Sequence, residues 1–423
     1  MPKSRLLFLA PRWPYPPLSG GKAFFLNVAL ALKEEYELTL LSFCSNSDEM
    51  SMDPGDDVFS EIHRVHLPKW RSYLNVTSSL AGHLPLQLAY YRSGQFRKSL
   101  KSLLPRHDAV LAYLIRTGQY LTNTKSEIPS LLLMADAISM AYQRTAMFPD
   151  TSLFWRFLFR AELNRLSRYE RTCPDSFDQT WLHSRVDQRF LALSPKRVRI
   201  VPVGIDLDEF PFSEGASGNV IAFVGNMSFS LNVDACRSFL RHIFPALRKR
   251  AEVRFRVIGA CPSPIQRELT KYDGVEVTGA VRRIADAIDG VFCGVCPVRA
   301  GAGIQNKVLN YLALGIPCVT SKIGHEGIDA LAGRDLLVYE DEGQAADFIL
   351  RLYRDPSLRS ELAVNGRRFI ETAHDWKAIH RAIRGDVHEL FASRRARVPG
   401  EASSEEIGRP GHPPPGGLDA RRE

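Results

Sequence analysis

Strand-length apolar runs alternate with helix-length amphipathic patterns from the sixth residue to about residue 390. Such alternation confines a chain to parallel sheets with crossover helices. The first series runs LLFLA, KAFFLNVALALKEEY, LTLLSF, IHRVHL, AVLAYL and PSLLLMA, then the long amphipathic stretch FWRFLFRAELNRLSRYERT, and closes on DQTWL and VRIVPV. In GIDLDEFPFSEGASG, residues 204–218, periodicity is lost and Gly, Pro and Ser collect, so the domain boundary is expected there. A second series follows at once, with NVIAFVG, RFRVIG, GVEVTG, GVFCGVCPV, PCVTS and DLLVY as its strands. The expected fold is therefore α/β, with two doubly wound Rossmann-like domains facing across a cleft. Residues 1–205 form the first domain, 206–218 the linker, 219–372 the second domain, and 373–393 a last helix packing back toward the first. Residues from 394 on, rich in Pro, Gly and charge, read as a disordered tail. In paired sheets of this kind ligands bind beyond the carboxyl ends of the strands, at switch points.

With 423 residues the chain can fill two or three cores of ordinary size. The formal net charge is +8, but as a whole-chain pattern the basic residues are scattered among acidic ones. That favours small anionic ligands or peripheral contact with an anionic membrane over nucleic acid. Seven irregularly spaced cysteines do not read as a disulfide framework, so a reducing, cytoplasmic location is expected, with any membrane association peripheral at the inner face. Cys293 and Cys296 have metal-ligand spacing but no partner pair, and read as structural rather than as zinc ligands. The short run Leu6–Ala10 is a first strand rather than a signal peptide, and no stretch is long and apolar enough to span a bilayer.

Two glycine turns stand where parallel strands should meet helices. Gly20 and Gly21 precede the first helix but match neither GxGxxG nor GxxxxGK[ST], so an anion site and a plain turn remain equal readings. The second, CPVRAGAGIQNKVLNYLALGIP, runs from a strand through Gly301 and Gly303 into a helix ending at Leu314. Helical spacing puts Lys307 on a face shared with Gly303 and Asn310. Arg299, Lys307 and a helix N-terminus converging on one point would suit a diphosphate; the alternative is a solvated helix lysine beside a turn. Asp136 ends the strand PSLLLMA and is expected at the cleft, or else as the N-cap of AISMAYQ.

The segments AFVGNMSFSLNVDACRSF, FRVIGACPSP, VEVTGAVRRI, CPVRAGAGIQNKVLNYLALGIPCVTS and GHEGI occur in order across residues 220–330. Through them the chain resembles family 4 glycosyltransferases of the GT-B fold, and more narrowly the sugar transferases of bacterial exopolysaccharide systems. The resemblance implies a retaining transfer from a nucleoside diphosphate sugar to a saccharide or lipid-linked acceptor, with no cofactor and no metal. It also implies that Gly301, Ala302, Gly303 and Ile304 offer backbone to the sugar and diphosphate and that Lys307 faces the phosphates. Asn226 in FVGN, with Asn232 nearby, would line the donor side. The family often carries two glutamates seven residues apart, and their positions here are Ala302 and Asn310. Asparagine at 310 offers one carbonyl acceptor where a carboxylate would take both ribose hydroxyls. Asp136 is the polar catalytic candidate by the same resemblance. His183 is a weaker acceptor-side candidate or a structural histidine, and Glu326 a sugar contact or the start of a short helix. Arg12, Trp13 and Lys22, read as exposed groups beside a strand end, are candidates for an acceptor phosphate. A non-catalytic nucleotide-sugar scaffold and a sugar-nucleotide epimerase are the alternatives.

Overall fold

Leu6 to Ala10 stand opposite Leu38 to Ser42 in a parallel ladder, and on the other side Leu6 to Leu9 stand opposite Ala109 to Ala112. This first pairing seeds a seven-stranded sheet. In the computed structural model, which describes residues 3–17, 19–122, 128–147, 153–214 and 218–395, the strands are β1 (Ser4–Ala10), β2 (Tyr36–Cys44), β3 (Glu61–His66), β4 (Ala109–Tyr113), β5 (Ser130–Ala135), β6 (Gln179–Leu182) and β7 (Val198–Ile200). Their order is β3-β2-β1-β4-β5-β6-β7, every pairing parallel. The second sheet holds β8 (Val220–Val224), β9 (Arg254–Ile258), β10 (Val275–Val277), β11 (Val291–Cys296), β12 (Cys318–Ser321) and β13 (Leu337–Tyr339) in the order β10-β9-β8-β11-β12-β13, again all parallel. The doubly wound pair expected from the sequence is the observed fold. Strand order reverses between β1 and β4 in one sheet and between β8 and β11 in the other.

Both sheets are covered on two faces, so their strands are nearly continuous apolar runs. Helix α1 (Gly20–Leu32) lays Phe25 edge-on to Phe8, with ring centroids 5.8 Å apart. Helices α2 (Lys69–Ser78), α3 (Ile138–Ala146) and α4 (Leu153–Thr172) belong to the first domain, and α5 (Asn306–Leu314) leads from β11 to β12 in the second. The segment NVDACRSFLRHIFPALRKR after β8 is not one continuous helix. Pro245 can neither donate to the ladder nor sit under the carbonyl four residues back, and Phe239–Ile243 widens into a π turn between two α segments.

The last helix, α6 (Trp376–Arg395), crosses back onto the first domain. Trp376 packs on Phe24 at 5.6 Å, Phe391 stacks on Tyr36, and Arg384 donates to the Ala31 carbonyl at the end of α1. The outgoing linker and this return segment run side by side: Ile205 N–H donates to the His374 carbonyl at 2.7 Å. The two crossings form one narrow hinge. Of the expected linker, residues 215–217 lie outside the described residues; residues 394 and 395, expected in the tail, continue α6, and the rest of the expected tail, from 396 on, lies outside the described residues.

Candidate active site in the interdomain cleft

A cavity of about 570 Å³ opens between the two sheets. Its walls are the loop after β1 with the start of α1 (Ser19, Gly20, Ala23, Asn27), the hinge (Gly204 to Asp206), the loop after β8 (Gly225, Asn226), Arg282 to Ile284 beyond β10, and one face of α5 (Asn306, Lys307, Asn310). These are carboxyl ends of parallel strands near both switch points, where ligands of doubly wound sheets sit.

The turn after β11 carries Gly301 at φ 139° and Gly303 at φ 74°, both left-handed, so glycine is required there. Helix α5 starts only at Asn306, with Gln305 at its N-cap and no side-chain cap. Gly303 therefore lies outside the helix, and the shared face expected for Gly303, Lys307 and Asn310 is instead Asn306, Lys307 and Asn310. Lys307 is not a solvated helix lysine. Only 8% exposed, it lies 5.3 Å from the Phe223 ring centroid, and its Nζ donates to Asn232 Oδ1 and Gln305 Oε1, each at 3.2 Å. Both acceptors are neutral, and Lys307 makes no ion pair among the described residues. The Asn310 side chain borders the cleft without a hydrogen bond among them. Asn226 folds its Oδ1 onto Ser228 N–H at 2.9 Å and offers its own carbonyl to Asn232.

Arg299 does not join this group. Its guanidinium is bidentate on Asp234, at 2.7 and 3.2 Å, and lines a separate depression with Arg237 and Arg241, so the expected convergence with Lys307 fails. Glu326 also has a partner, across the domains. Arg144 of α3 donates to its Oε2 at 2.7 Å and to the Gly301 carbonyl at 2.9 Å, tying the glycine turn to the first domain. Ala302 packs against the apolar cluster of that domain and Ile304 against the other cluster.

Asp136 directly follows β5, after Ala135, whose φ of 68° is strained for a residue with a Cβ. It is no N-cap: α3 starts at Ile138, and its free N–H groups go to Glu170, which accepts from Ile138 (2.7 Å) and Ser139 (3.0 Å), while Asp187 accepts from Ala137 (2.9 Å). The Asp136 carboxylate instead points at Gly303, where a Cβ would lie 2.1 Å from Oδ1. That oxygen is enclosed and has no hydrogen-bond partner among the described residues. Burial raises Asp136 to about 6, burial and the charge of Asp136 raise Asp187 to about 6, and burial raises Glu170 to about 7.

His183 is buried against Phe24, 4.3 Å between ring centroids, its Nδ1 3.0 Å from the Val201 carbonyl, and burial lowers its pKa. It lies behind Phe24, which lines the cleft. Gly20 does border the cleft, so close to Asn306 that a Cβ would overlap its amide; Gly21 instead offers its carbonyl to the Tyr113 hydroxyl at 2.9 Å. Arg12 and Lys22 lie away from the cleft, in a neighbouring pocket with Lys69 and Glu49, where Arg12 donates to the Tyr91 hydroxyl. Trp13 is fully buried under Arg64, which corrects its expected exposure. Cys293 and Cys296 fall in β11, both fully buried, and strand alternation turns them to opposite faces, which does not suit one metal ion. No group of three or more His, Cys, Asp or Glu among the described residues is arranged to hold a metal.

Residues 218–355 match the family model described as glycosyl transferases group 1. The fold is GT-B, and its second domain is the part that is similar to that family. Across 92% of its length the chain superimposes on all of sucrose-phosphate synthase from Thermosynechococcus elongatus, with a TM-score of 0.71 at 14% identity. Across 91% it superimposes on all of Anabaena HepE in complex with UDP, with a TM-score of 0.63 at 13% identity. By sequence it is 21% identical over 393 residues to an uncharacterized 44.6 kDa protein in the cps region of Klebsiella pneumoniae, covering 90% of this chain and 99% of that protein. In this GT-B chain the matched segment contains α5, Lys307 and Asn310 together with the glycine turn.

Asn306, Arg282 and Arg283 are cleft residues that sequence reasoning passed over. Asn306 is adjacent to Lys307 in the quoted motif, and the arginines follow the carboxyl end of β10, a position the strand-end rule marks.

Proposed function

We propose that the chain is a retaining, metal-independent glycosyltransferase of cell-surface polysaccharide synthesis, moving a sugar from a nucleoside diphosphate donor to a saccharide or lipid-linked acceptor. The observation that carries the reading is Lys307. A buried ammonium that, among the described residues, meets two neutral amide oxygens and a ring face but no carboxylate is costly unless an anion completes the site. It faces a cleft of a size suited to a nucleotide sugar, at the start of a helix whose free N–H groups also favour negative charge. UDP in the HepE complex and the cps-region relative are consistent with this.

In the proposed reaction the bond from the anomeric carbon to the diphosphate oxygen breaks while the acceptor oxygen bonds to the same face. The acceptor proton passes to a phosphate oxygen of the departing nucleoside diphosphate. Lys307 and the amide-rich turn stabilise the charge that grows on that leaving group. Asp136, against the turn that would hold the sugar, is assigned to orient it, and Arg144 with Glu326 to hold the turn against the first domain. The test is a panel of UDP- and GDP-sugars with excess chelator. Release of nucleoside diphosphate and a product of unchanged anomeric configuration support the reading; neither turnover nor nucleotide binding from any donor overturns it. Isomerised free sugar without an acceptor would instead identify an epimerase.

A further inference from the structure

Two helices of the first domain leave large apolar side chains facing outward. On α2, Trp70, Tyr73 and Leu74, at positions i, i+3 and i+4, face solvent while Ser72 is buried. On α4, Leu153, Phe154 and Phe157 face solvent while Glu162, Leu166 and Glu170 are buried. These six apolar side chains are each between 59% and 80% exposed. The helices flank a common groove of about 320 Å³, with Val76 on one wall, Trp155 and Phe159 on the other and Tyr90 and Tyr142 between. Arg165 of α4 donates to the Leu80 carbonyl just past α2, which keeps the two walls in one surface.

The surroundings are basic. From residue 62 to residue 107 there is no Asp or Glu, against eight Lys or Arg. Lys69 and Arg71 on α2 and Arg160 on α4 are exposed and make no ion pair among the described residues. Contiguous exposed apolar side chains beside unpaired cations, with Trp and Tyr among them, suit the boundary between lipid headgroups and acyl chains. No helix among the described residues is long and apolar enough to cross a membrane.

We propose that this α2–α4 face docks the protein in the plane of an anionic bilayer, apolar side chains inserted and Lys69, Arg71 and Arg160 against lipid phosphates. Only the further link, that docking presents a lipid-linked acceptor to the cleft, rests on the proposed function. The experiment is flotation of the full-length protein with vesicles of phosphatidylcholine alone or mixed with phosphatidylglycerol. Two variants accompany it, Trp70→Ser with Leu74→Ser and Phe157→Ser, and Lys69→Glu with Arg71→Glu and Arg160→Glu. Wild type is expected to float with the anionic vesicles and much less with the neutral ones, and each variant to lose roughly tenfold or more of that binding. Donor turnover and melting temperature are expected to stay unchanged; should the apolar variant melt early, the charge-reversed one carries the comparison. Wild type that does not float, variants that float equally well, or a wild-type dimer that the apolar variant dissolves without any flotation would each overturn the proposal. Vesicle binding is read without turnover, so its failure is distinct from failure of the transferase reading.

Discussion

Gly303 closes on Asp136 across the domain interface, with room for a hydrogen at its Cα and for nothing larger. The left-handed φ at Gly303 and the enclosed carboxylate oxygen meet at the turn that leads to Lys307. Gly303→Ala is therefore expected to lower kcat/KM by about tenfold or more, from a backbone cost of roughly 1–2 kcal/mol plus the displaced carboxylate. Asp136→Ala in the Gly303→Ala background removes the steric part, so the double variant should fall short of the sum of the two single losses. Steady-state kinetics of the four-member cycle checks this, and strict additivity would count against the contact.

Asp136, Asp187 and Glu170 predict an unusual pH dependence. Their carboxyls are raised to about 6, 6 and 7, so the folded protein holds protons that the unfolded chain releases in the ordinary carboxylate range near 4. The stability they contribute is fully present below that range and is lost as pH rises through 6 to 7. Each group adds at most about 1.4 kcal/mol per pH unit of negative slope. Melting temperatures between pH 5 and 8 should fall more steeply with rising pH in wild type than in Glu170→Gln, whose side chain mimics the neutral acid. Equal slopes would mean that Glu170 does not titrate over this range.

Lys307→Ala separates stability from binding. Removing a buried ammonium that has no carboxylate partner among the described residues should leave the melting temperature without nucleotide unchanged or higher, since two neutral amides compensate the charge poorly. The same change should weaken UDP or GDP by about 2–3 kcal/mol, roughly a hundredfold, through loss of a charge-assisted bond. Calorimetric titration beside thermal melts reads both. A variant that binds nucleotide like wild type would remove Lys307 from the donor site.

The fold was legible because hydrophobic periodicity reports burial, and both sheets bury both faces of their strands. The cleft was legible in part. Lys307, Asn310 and Gly20 lie where glycine turns and strand ends suggested, but Arg299 depends on Asp234, a partner 65 residues away that no local pattern reveals. Asp136 was placed at the right strand end. Its freedom from capping could not be seen, because the cap of α3 comes from Glu170 on a later helix. The outward apolar face of α2 was hidden for another reason: periodicity shows that a helix has an apolar side without saying whether the protein covers it. The acid-free run from 62 to 107 escaped a reading of net charge because its lysines and arginines form no long unbroken block.

Asn310 distinguishes a transferase from a binding scaffold. It borders the cleft one helical turn beyond Lys307 and Asn306, and its amide is free of protein hydrogen bonds among the described residues. A carboxylate at that point would accept from both ribose hydroxyls of a bound nucleotide, where the amide offers one acceptor. Asn310→Glu should thus gain about 1–2 kcal/mol in donor binding, roughly five- to thirtyfold in Kd. Lys307, three residues before it on the same face, would offset part of the added negative charge. If the chain is an enzyme, the variant keeps or raises turnover and lowers KM for the donor while kcat changes little, because ribose contacts are made equally in ground and transition states. A scaffold shows the same gain in nucleotide affinity with no turnover in either form. Donor titrations on wild type and variant, followed by single-turnover assays at saturating donor, separate the two outcomes.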